Sequence, residues 1–266
     1  EPETEFTNLP KSINCAGFPI REYNDKIPSN LTAEQILIRS GNIGSVRIGQ
    51  KIGETKYKSF LSQVGIIGEI KFDIEEVGKP IKFNWGKCPL ATASFGHGIT
   101  TTLLQVVKGY SIIVNGGFKV NPILVKRNKK TKKEKILNED VSKKILPILR
   151  KIVATKEGTA KLANVDGYEI GGKTGTANRS SKGGYSNKKI NTFISTFPTS
   201  KPKFILAVML EEPEINKDYI YEYRDGSNFR LKGSPRNTAG WNTVEAAGHI
   251  IEKIGPILAT KYNEIN

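Results

Sequence analysis

Apolar residues in the first part of the chain recur with the period of an amphipathic helix. In "SNLTAEQILIRSGNIGSVRIGQKIG" the residues at helical spacing are Ile36, Leu37, Val46 and Ile48. Asn30 or Thr32 is a candidate N-cap, and Gly53 is a stop. The polar and glycine residues from Ser40 to Gly44 interrupt the pattern. The sequence therefore predicts two helices with a break between them, where side chains can be presented to a ligand.

Two later stretches repeat the helical pattern. "TLLQVVKGYSIIVNGG" ends in Asn-Gly-Gly, which is typical of a helix C-cap. Its apolar residues at helical spacing are Leu103, Val106, Val107, Tyr110 and Ile113. "EDVSKKILPILRKIVA" repeats the pattern with Ile145, Ile148, Leu149 and Ile152. Pro147 is predicted to kink or divide this second helix because proline lacks the amide hydrogen.

Strand patterns follow in the second half. "INTFISTFP" and "KFILAVMLEEP" are short apolar or alternating runs, and "TSKP" between them predicts a hairpin connection. "YEIGGKTGTA" adds a strand before them, and "NTVEAAGHIIEKIGPIL" predicts a C-terminal amphipathic helix. The fold class expected is α+β, an antiparallel sheet with helices packed on it. The long aromatic-rich segment 213–236 is predicted to be either a wall of a substrate groove or a solvated connection.

Charge changes this picture only in part. The 266 residues carry 41 Lys and Arg against 26 Asp and Glu, a net charge of +15, which suits an anionic partner. The abundance of Lys, Ile and Asn equally fits a bias toward A+T-rich codons. The run "VKRNKKTKKEKI" contains no aromatic residue for base stacking. We interpret it as a solvated hairpin tip rather than a nucleic-acid or lipid patch.

Cysteine and histidine residues are too few and too scattered for a structural zinc site. Cys15 and Cys88 form no cluster, and His97 and His249 are isolated. Two buried thiols are favoured over one disulfide. No apolar run reaches the length of a membrane span, and no signal segment opens the chain. The chain begins "EPETEF", without Met, so we expect it to be cut from a longer protein.

The strand "GYEIGGKTGTA" contains residues suited to a peptide ligand. Lys173 supplies a cation, and Thr174 supplies a hydroxyl for a carboxylate. Gly175 allows a substrate backbone to come close. At an exposed sheet edge an extended peptide adds as a further strand, and the Thr176 N–H is then placed to stabilise an oxyanion. The tetrapeptide Lys-Thr-Gly-Thr thus predicts a peptide-binding or acyl-transfer site.

A second motif sharpens this prediction. Ser40-Gly41-Asn42 lies at the predicted helix break, and Ser-x-Asn followed by Lys-Thr-Gly is typical of penicillin-binding proteins and serine β-lactamases. Further stretches extend the likeness, among them "ATASFGHGITTTLLQ", "IIVNGGFKVNPILVK", "ATKEGTAKLANVDGYEIGGKTGTA" and "TAGWNTVEAAGHIIEKIGPIL". The chain resembles the transpeptidase domain of class B penicillin-binding proteins, especially the division-specific type that crosslinks septal peptidoglycan.

This resemblance implies roles for individual residues. Ser40 would relay a proton to or from the leaving group, and Asn42 would hold the amide of the donor peptide. Lys173 would tune the electrostatics around the nucleophile. Thr174 and Thr176 would bind the substrate carboxylate, and the Thr176 N–H would complete the oxyanion hole. Gly172 and Gly175 would give the substrate room.

The resemblance also implies a setting. It predicts an antiparallel sheet with helices on both faces, and a periplasm-facing enzyme held to the bacterial inner membrane by a segment absent here. Peptidoglycan stem peptides, β-lactams and membrane proteins of the division machinery would be its partners. No cofactor, metal or nucleic acid is implied. Residues 1–258 would form the carboxy-terminal part of the transpeptidase domain, and 259–266 a polar tail.

One departure from the family pattern is large. The family's nucleophile is the Ser of a helical Ser-x-x-Lys that precedes Ser-x-Asn, and residues 1–39 contain no such motif. Ser186-Asn187-Lys188-Lys189 and Ser200-Lys201-Pro202-Lys203 occur later, in a predicted loop and a predicted turn. We therefore expect the nucleophile to precede residue 1 and the chain alone to be inactive.

Three alternatives stay open from the sequence. The first is a non-catalytic scaffold relative that keeps the peptide-binding edge without the chemistry. The second is a basic nucleic-acid-binding module, which depends on charge alone. The third is a β-lactamase, which needs a carboxylate to activate water. Glu75 and Glu76 lie between the two motifs, but their surroundings do not resemble the β-lactamase loop.

Overall fold

A computed structural model describes residues 1–70, 72–74, 81–125, 133–181 and 184–262. Glu75, Glu76 and residues 126–132 of the basic run lie outside the described residues, as do 263–266. The chain has two compact units, Glu1–Ile145 and Leu146–Asn266. Because Glu75, Glu76 and residues 126–132 are not described, what the sequence predicts for them stays a prediction.

Short strands open the first unit. These are β1 (Glu5–Phe6), β2 (Ser12–Cys15), β3 (Phe18–Arg21) and β4 (Leu31–Thr32). β1 pairs with β4, and β2 pairs with β3 as a hairpin, both antiparallel. Apolar residues of this region form a buried cluster with the helices that follow, including Ile20, Ile36, Ile43 and Val46. The hairpin is thereby packed against the helical part of the unit.

The predicted helix break is confirmed. The helices of this unit are α1 (Ala33–Arg39), α2 (Asn42–Ile52), α3 (Glu54–Gln63), α4 (Lys87–Ala93) and α5 (Leu103–Val114). Of the two candidate N-caps, Thr32 is the cap of α1, and its hydroxyl accepts from the Gln35 amide in a capping box. Gly53 ends α2, as predicted, and the next helix follows directly. α5 also has a capping box, between Thr102 and Gln105.

The two cysteines form a disulfide, so the prediction of two buried thiols is wrong. Cys15 at the end of β2 bonds to Cys88 in α4, with Cα atoms 5.5 Å apart. Helix α4 in turn packs against α2. A Cβ atom on Gly49 would lie 1.9 Å from the Ser94 Oγ atom, so only glycine allows this close approach. Sequence spacing could not reveal the pair because 73 positions separate the two residues.

We expect the disulfide to stabilise the folded chain. Changing both residues, Cys15→Ser with Cys88→Ser, should lower the free energy of unfolding by about 2–4 kcal/mol, because the cross-link restricts the unfolded chain. Urea denaturation followed by circular dichroism measures this loss. Dithiothreitol should produce the same loss in the wild type and none in the double variant. Equal stability of the wild type with and without dithiothreitol would contradict the expectation.

A three-stranded antiparallel sheet forms the centre of the second unit. Its strands are β5 (Gly171–Ser181), β6 (Gly184–Phe197) and β7 (Phe204–Glu211), in the order β5-β6-β7. β6 begins earlier than the apolar run "INTFISTFP" predicts, because the polar residues before Ile190 pair with β5. Phe193 and Phe197 of β6 are fully buried. The predicted hairpin between β6 and β7 is confirmed.

Two further helices form in segments that the sequence predicts to be amphipathic. α6 (Glu139–Ala154) is one continuous helix with Pro147 inside, so of the two predicted outcomes the proline does not divide the helix, and a kink stays a prediction. Proline cannot donate to the carbonyl four residues earlier, that of Lys143, yet the residues on both sides of Pro147 stay helical. α7 (Thr243–Tyr262) packs against β6 and β7. It continues into the segment predicted as the polar tail.

The segment 213–236 contains a small hairpin that the sequence does not predict. β8 (Ile220–Glu222) and β9 (Arg230–Lys232) pair antiparallel. Arg224 in the connection is buried, and its guanidinium forms an ion pair with Glu245 of α7 at 3.0 Å. Because an unpaired buried charge is costly, the pairing of Arg224 with Glu245 favours one position of this segment against α7.

None of the described helices has the length and apolarity needed to cross a bilayer.

Candidate functional site

The Ser-x-Asn motif lies at the turn between α1 and α2 in the first unit. Ser40 is the C-cap of α1, with φ 56° and ψ 42° in the left-handed region. A serine is uncommon there and requires support from its surroundings. The support comes from the next residue, since the Gly41 amide donates to the Ile36 carbonyl at 3.0 Å. The helix break thus holds Ser40 partly exposed at a sharp corner.

Asn42 is the first residue of α2 and is held by the chain that leaves the β2–β3 hairpin. Its Nδ2 donates to the Arg21 carbonyl at 2.9 Å. Its backbone amide donates to Glu22 Oε2 at 2.7 Å, and the Ile43 amide donates to Glu22 Oε1 at 3.0 Å. The motif predicted Asn42 as a site residue. It did not predict Glu22, which is twenty positions away and belongs to no motif.

The Lys-Thr-Gly-Thr motif lies on β5 in the second unit. Among the described residues β5 pairs with β6 alone, so it forms an edge of the sheet, as predicted. Side chains alternate between the faces of a strand. Lys173 and Gly175 therefore share one face, whereas Thr174 and Thr176 share the other. The sequence motif reads as one group, but the strand divides it between two surfaces.

Lys173 is partly buried, and its Nζ donates to the Thr174 carbonyl at 3.1 Å. Burial lowers the pKa of the Lys173 ammonium from its usual value near 10.5 to about 8. An amine with a pKa of about 8 exchanges its proton near neutral pH. Such a group is suited to proton transfer as well as to electrostatic binding.

Both threonine hydroxyls already have one partner. Thr174 Oγ1 lies 2.7 Å from Thr159 Oγ1, and Thr176 Oγ1 accepts the Ala239 amide at 3.0 Å. Because the Thr176 hydroxyl accepts from the backbone, its hydrogen is left to donate to a ligand. No chemical motif in the sequence marks Thr159 or Ala239 as a site residue. Both lie in stretches that carry the family resemblance.

The two glycines of the motif differ in their surroundings. A Cβ atom on Gly172 would lie 2.6 Å from the Phe193 ring, so this glycine is required by packing between β5 and β6. A Cβ atom on Gly175 would meet Thr192 only at 3.9 Å, an ordinary contact. Gly175 is exposed and Gly172 is buried. The prediction of room for a substrate therefore applies more directly to Gly175.

The two later Ser-x-x-Lys sequences are not on helices. Ser186 to Lys189 lies in β6 rather than in the predicted loop, and positions i and i+3 of a strand point to opposite faces. Ser200 lies in the turn between β6 and β7, as predicted, and its amide donates to Glu169. Neither sequence therefore has the helical geometry that brings positions i and i+3 together on one face.

A cavity of about 320 Å³ lies between the segment 214–237 and the first turns of α7. Tyr219, Tyr221 and Trp241 line it, together with Glu245 of the buried ion pair. Trp241 lies two residues after Ala239, whose amide donates to the Thr176 hydroxyl. In the described part of the chain no three His, Cys, Asp or Glu side chains lie together as metal ligands would.

The burial of Lys173 makes a prediction about pH. In an NMR titration of the 13C-labelled lysine side chains, the resonance absent from Lys173→Arg should titrate with a midpoint near the pKa of about 8. Between that pKa and the usual value, the folded chain binds fewer protons than the unfolded chain. The free energy of unfolding of the wild type, relative to Lys173→Met, should therefore rise with pH in that window. A midpoint near 10.5 would contradict the burial.

Comparison with known proteins identifies relatives of the chain. A family model described as "Penicillin binding protein transpeptidase domain" matches residues 1–227. The chain is 26% identical over 243 residues to a protein of Caulobacter vibrioides named "Probable peptidoglycan D,D-transpeptidase FtsI". It is 34% identical over 202 residues to "Peptidoglycan D,D-transpeptidase FtsI" of Buchnera aphidicola. These matches cover 87% and 71% of this chain but only 39% and 34% of the relatives.

A solved structure shares the fold. The transpeptidase domain of penicillin-binding protein 3 from Burkholderia pseudomallei superposes with a TM-score of 0.78 at 22% identity. The superposition covers 98% of this chain and 73% of that chain. The predicted α+β class, an antiparallel sheet with packed helices, is thereby confirmed.

Proposed function

Because this chain belongs to the family of penicillin-binding protein transpeptidase domains, we propose that it supplies the substrate-binding part of a peptidoglycan D,D-transpeptidase of the septal type. The observation that carries the proposal is the Lys-Thr-Gly-Thr motif on an edge strand, with a half-buried lysine of lowered pKa. The names of the two relatives support the reaction and the role in division. Since the chain spans well under half of their length, the activity of a whole protein is part of the proposal.

The proposed chemistry is acyl transfer between stem peptides. A serine hydroxyl attacks a peptide carbonyl of the donor, the terminal residue leaves with a proton, and an amine of the acceptor then attacks the ester. The second attack frees the serine and forms the crosslink. β-Lactams would acylate the same serine. Neither Ser-x-x-Lys sequence of this chain is helical, so neither is proposed as the attacking serine. This chain would instead contribute substrate binding and proton transfer to each step.

Each site residue takes one role in this proposal. Ser40 relays a proton to or from the leaving group, and Asn42 holds the amide of the donor peptide. Lys173 tunes the field around the nucleophile, and its lowered pKa suits that role. Thr174 and Thr176 bind the substrate carboxylate, the Thr176 N–H completes the oxyanion hole, and Gly175 leaves room for the substrate backbone.

The setting proposed is the periplasmic side of a bacterial inner membrane, with division-machinery proteins as partners. The Cys15–Cys88 disulfide supports this, because disulfides persist in oxidising compartments. The net charge of +15 also suits the surroundings of an anionic cell-wall polymer. A non-catalytic scaffold is the second candidate, and its observation is that Ser186–Lys189 lies in a strand and Ser200 in a turn, so neither Ser-x-x-Lys sequence is helical.

Covalent labelling tests the predicted lack of a nucleophile. The 266-residue chain incubated with a fluorescent penicillin should show no added mass and no label that survives denaturation, because neither of its Ser-x-x-Lys sequences lies on a helix. A longer protein with a helical Ser-x-x-Lys joined before residue 1 should become labelled under the same conditions. A stable adduct on the chain alone would show that one of its own serines is the nucleophile.

Peptide binding tests the role of β5. A stem-peptide analogue that ends in D-Ala-D-Ala should bind the chain without covalent reaction and shift the amide resonances of β5 in NMR spectra. Thr176→Val should weaken the affinity by about tenfold, because it removes a hydrogen bond to a charged carboxylate. Thr176→Ser should restore most of the affinity.

The exposed hydroxyl of Thr260 on α7 provides the matched control. Thr260→Val removes the same atoms and should leave the affinity unchanged. Loss of affinity in both valine variants would point to a general effect on folding. Equal affinity of the wild type and Thr176→Val would remove Thr176 from the binding site.

A further inference from the structure

The N-terminus of α2 is capped by a residue from another part of the chain. Its own N-cap, Gly41, has no side chain to accept a hydrogen bond. The first amides of a helix need acceptors, and serine, threonine, aspartate or asparagine usually supplies one locally. Here the Glu22 carboxylate accepts both the Asn42 and the Ile43 amides, at 2.7 and 3.0 Å. Glu22 follows β3 directly.

Arg21 and Glu22, the two residues at the end of the hairpin, also hold the side chain of Asn42. The Arg21 carbonyl accepts from Asn42 Nδ2 at 2.9 Å, so one chain segment grips both the backbone and the side chain of Asn42. A donated Nδ2 hydrogen fixes the rotation of the amide plane. It leaves Asn42 Oδ1 as the acceptor for a ligand N–H.

Arg21 and Glu22 are themselves held in place by the hairpin that precedes them. Glu22 follows a hairpin whose other strand ends in Cys15, and Cys15 is bonded to Cys88 in α4. α4 packs against α2, the helix that Glu22 caps, and the hairpin also contacts α2. The hairpin, α4 and α2 therefore form a closed ring of contacts. A carboxylate on such a support is held in place before any ligand arrives, which is what a preorganised site requires.

We propose that Glu22 is the positioning residue of the Ser-x-Asn motif and fixes the Asn42 amide in the orientation that accepts the donor peptide. This proposal deepens the proposed function and rests on it for the identity of the ligand. Charge-assisted hydrogen bonds to a helix N-terminus are strong for their size, since the carboxylate also meets the positive end of the helix dipole. Glu22 acts through Asn42 and does not itself contact substrate.

The first experiment measures the positioning directly, without a ligand. In Glu22→Ala, hydrogen exchange of the Asn42 and Ile43 amides in the 266-residue chain should become about tenfold faster or more, as expected for loss of a charge-assisted hydrogen bond. The side-chain amide resonances of Asn42 should also move. Glu22→Gln keeps one acceptor oxygen and should give an intermediate effect. It also serves as the variant to measure if the alanine variant fails to fold.

Glu54 provides the matched control, since it is an acidic residue in the first turn of α3 in the same unit. Glu54→Ala removes a carboxylate from a helix N-terminus and should leave the Asn42 and Ile43 amides unchanged. Unchanged exchange at these amides in both Glu22 variants would overturn the proposal. So would an equal acceleration in Glu54→Ala, since the effect would then be one of general stability.

The second experiment measures the consequence for binding. The affinity for the D-Ala-D-Ala peptide should fall by about threefold to tenfold in Glu22→Ala and not in Glu54→Ala, as for loss of one well-placed hydrogen bond. If the peptide binds the wild type and Glu22→Ala equally, the positioning role is overturned and the proposed function stands. If the wild type binds no peptide, the proposed function fails, and the exchange rates alone decide whether Glu22 holds Asn42.

Discussion

The position of β5 at the edge of its sheet constrains the rest of the candidate site. On one side β6 satisfies the backbone of β5 through a long antiparallel register, from Gly171 opposite Thr196 to Asn178 opposite Lys189. An edge strand offers its other row of backbone groups to an extended ligand. Strand alternation then decides which side chains can serve each surface. Lys173 lies on one face, whereas the two threonine hydroxyls lie on the other, where Thr159 and Ala239 hold them.

Helix ends determine how the first unit presents the residues of its Ser-x-Asn motif. α1 and α5 each begin with a threonine whose hydroxyl caps the helix locally. α2 begins after Gly41, which cannot do so, and the carboxylate of Glu22 replaces the missing cap. A Cβ atom on Gly41 would lie 3.5 Å from Glu22 Oε1, so the carboxylate packs directly over the turn from Ser40 to Asn42. Support from a distant residue thus accompanies a sharp corner that carries the two side chains of the Ser-x-Asn motif.

Sequence patterns predicted the elements whose signals are local. The break between α1 and α2, the capped helix α5, the edge strand β5, the β6–β7 hairpin and helix α7 all follow from periodicity and turn residues. The Cys15–Cys88 disulfide and the hydrogen bond from the Asn42 amide to Glu22 join residues that are far apart in the chain. No local sequence signal marks either contact. The continuity of α6 through Pro147 shows the opposite limit, since a residue that usually ends a helix does not end this one.

The face of β5 that carries Lys173 links structure to chemistry most directly. A lysine on the exposed surface of a strand stays protonated at neutral pH and can only attract anions. Burial lowers the pKa of Lys173 to about 8, so the same residue can bind an anion when protonated and accept a proton when neutral. Gly175, the next residue on that face, is exposed and has no side chain to compete with a ligand. A substrate on this edge would therefore meet a titratable amine with room beside it, which suits an acyl-transfer site better than a purely structural strand.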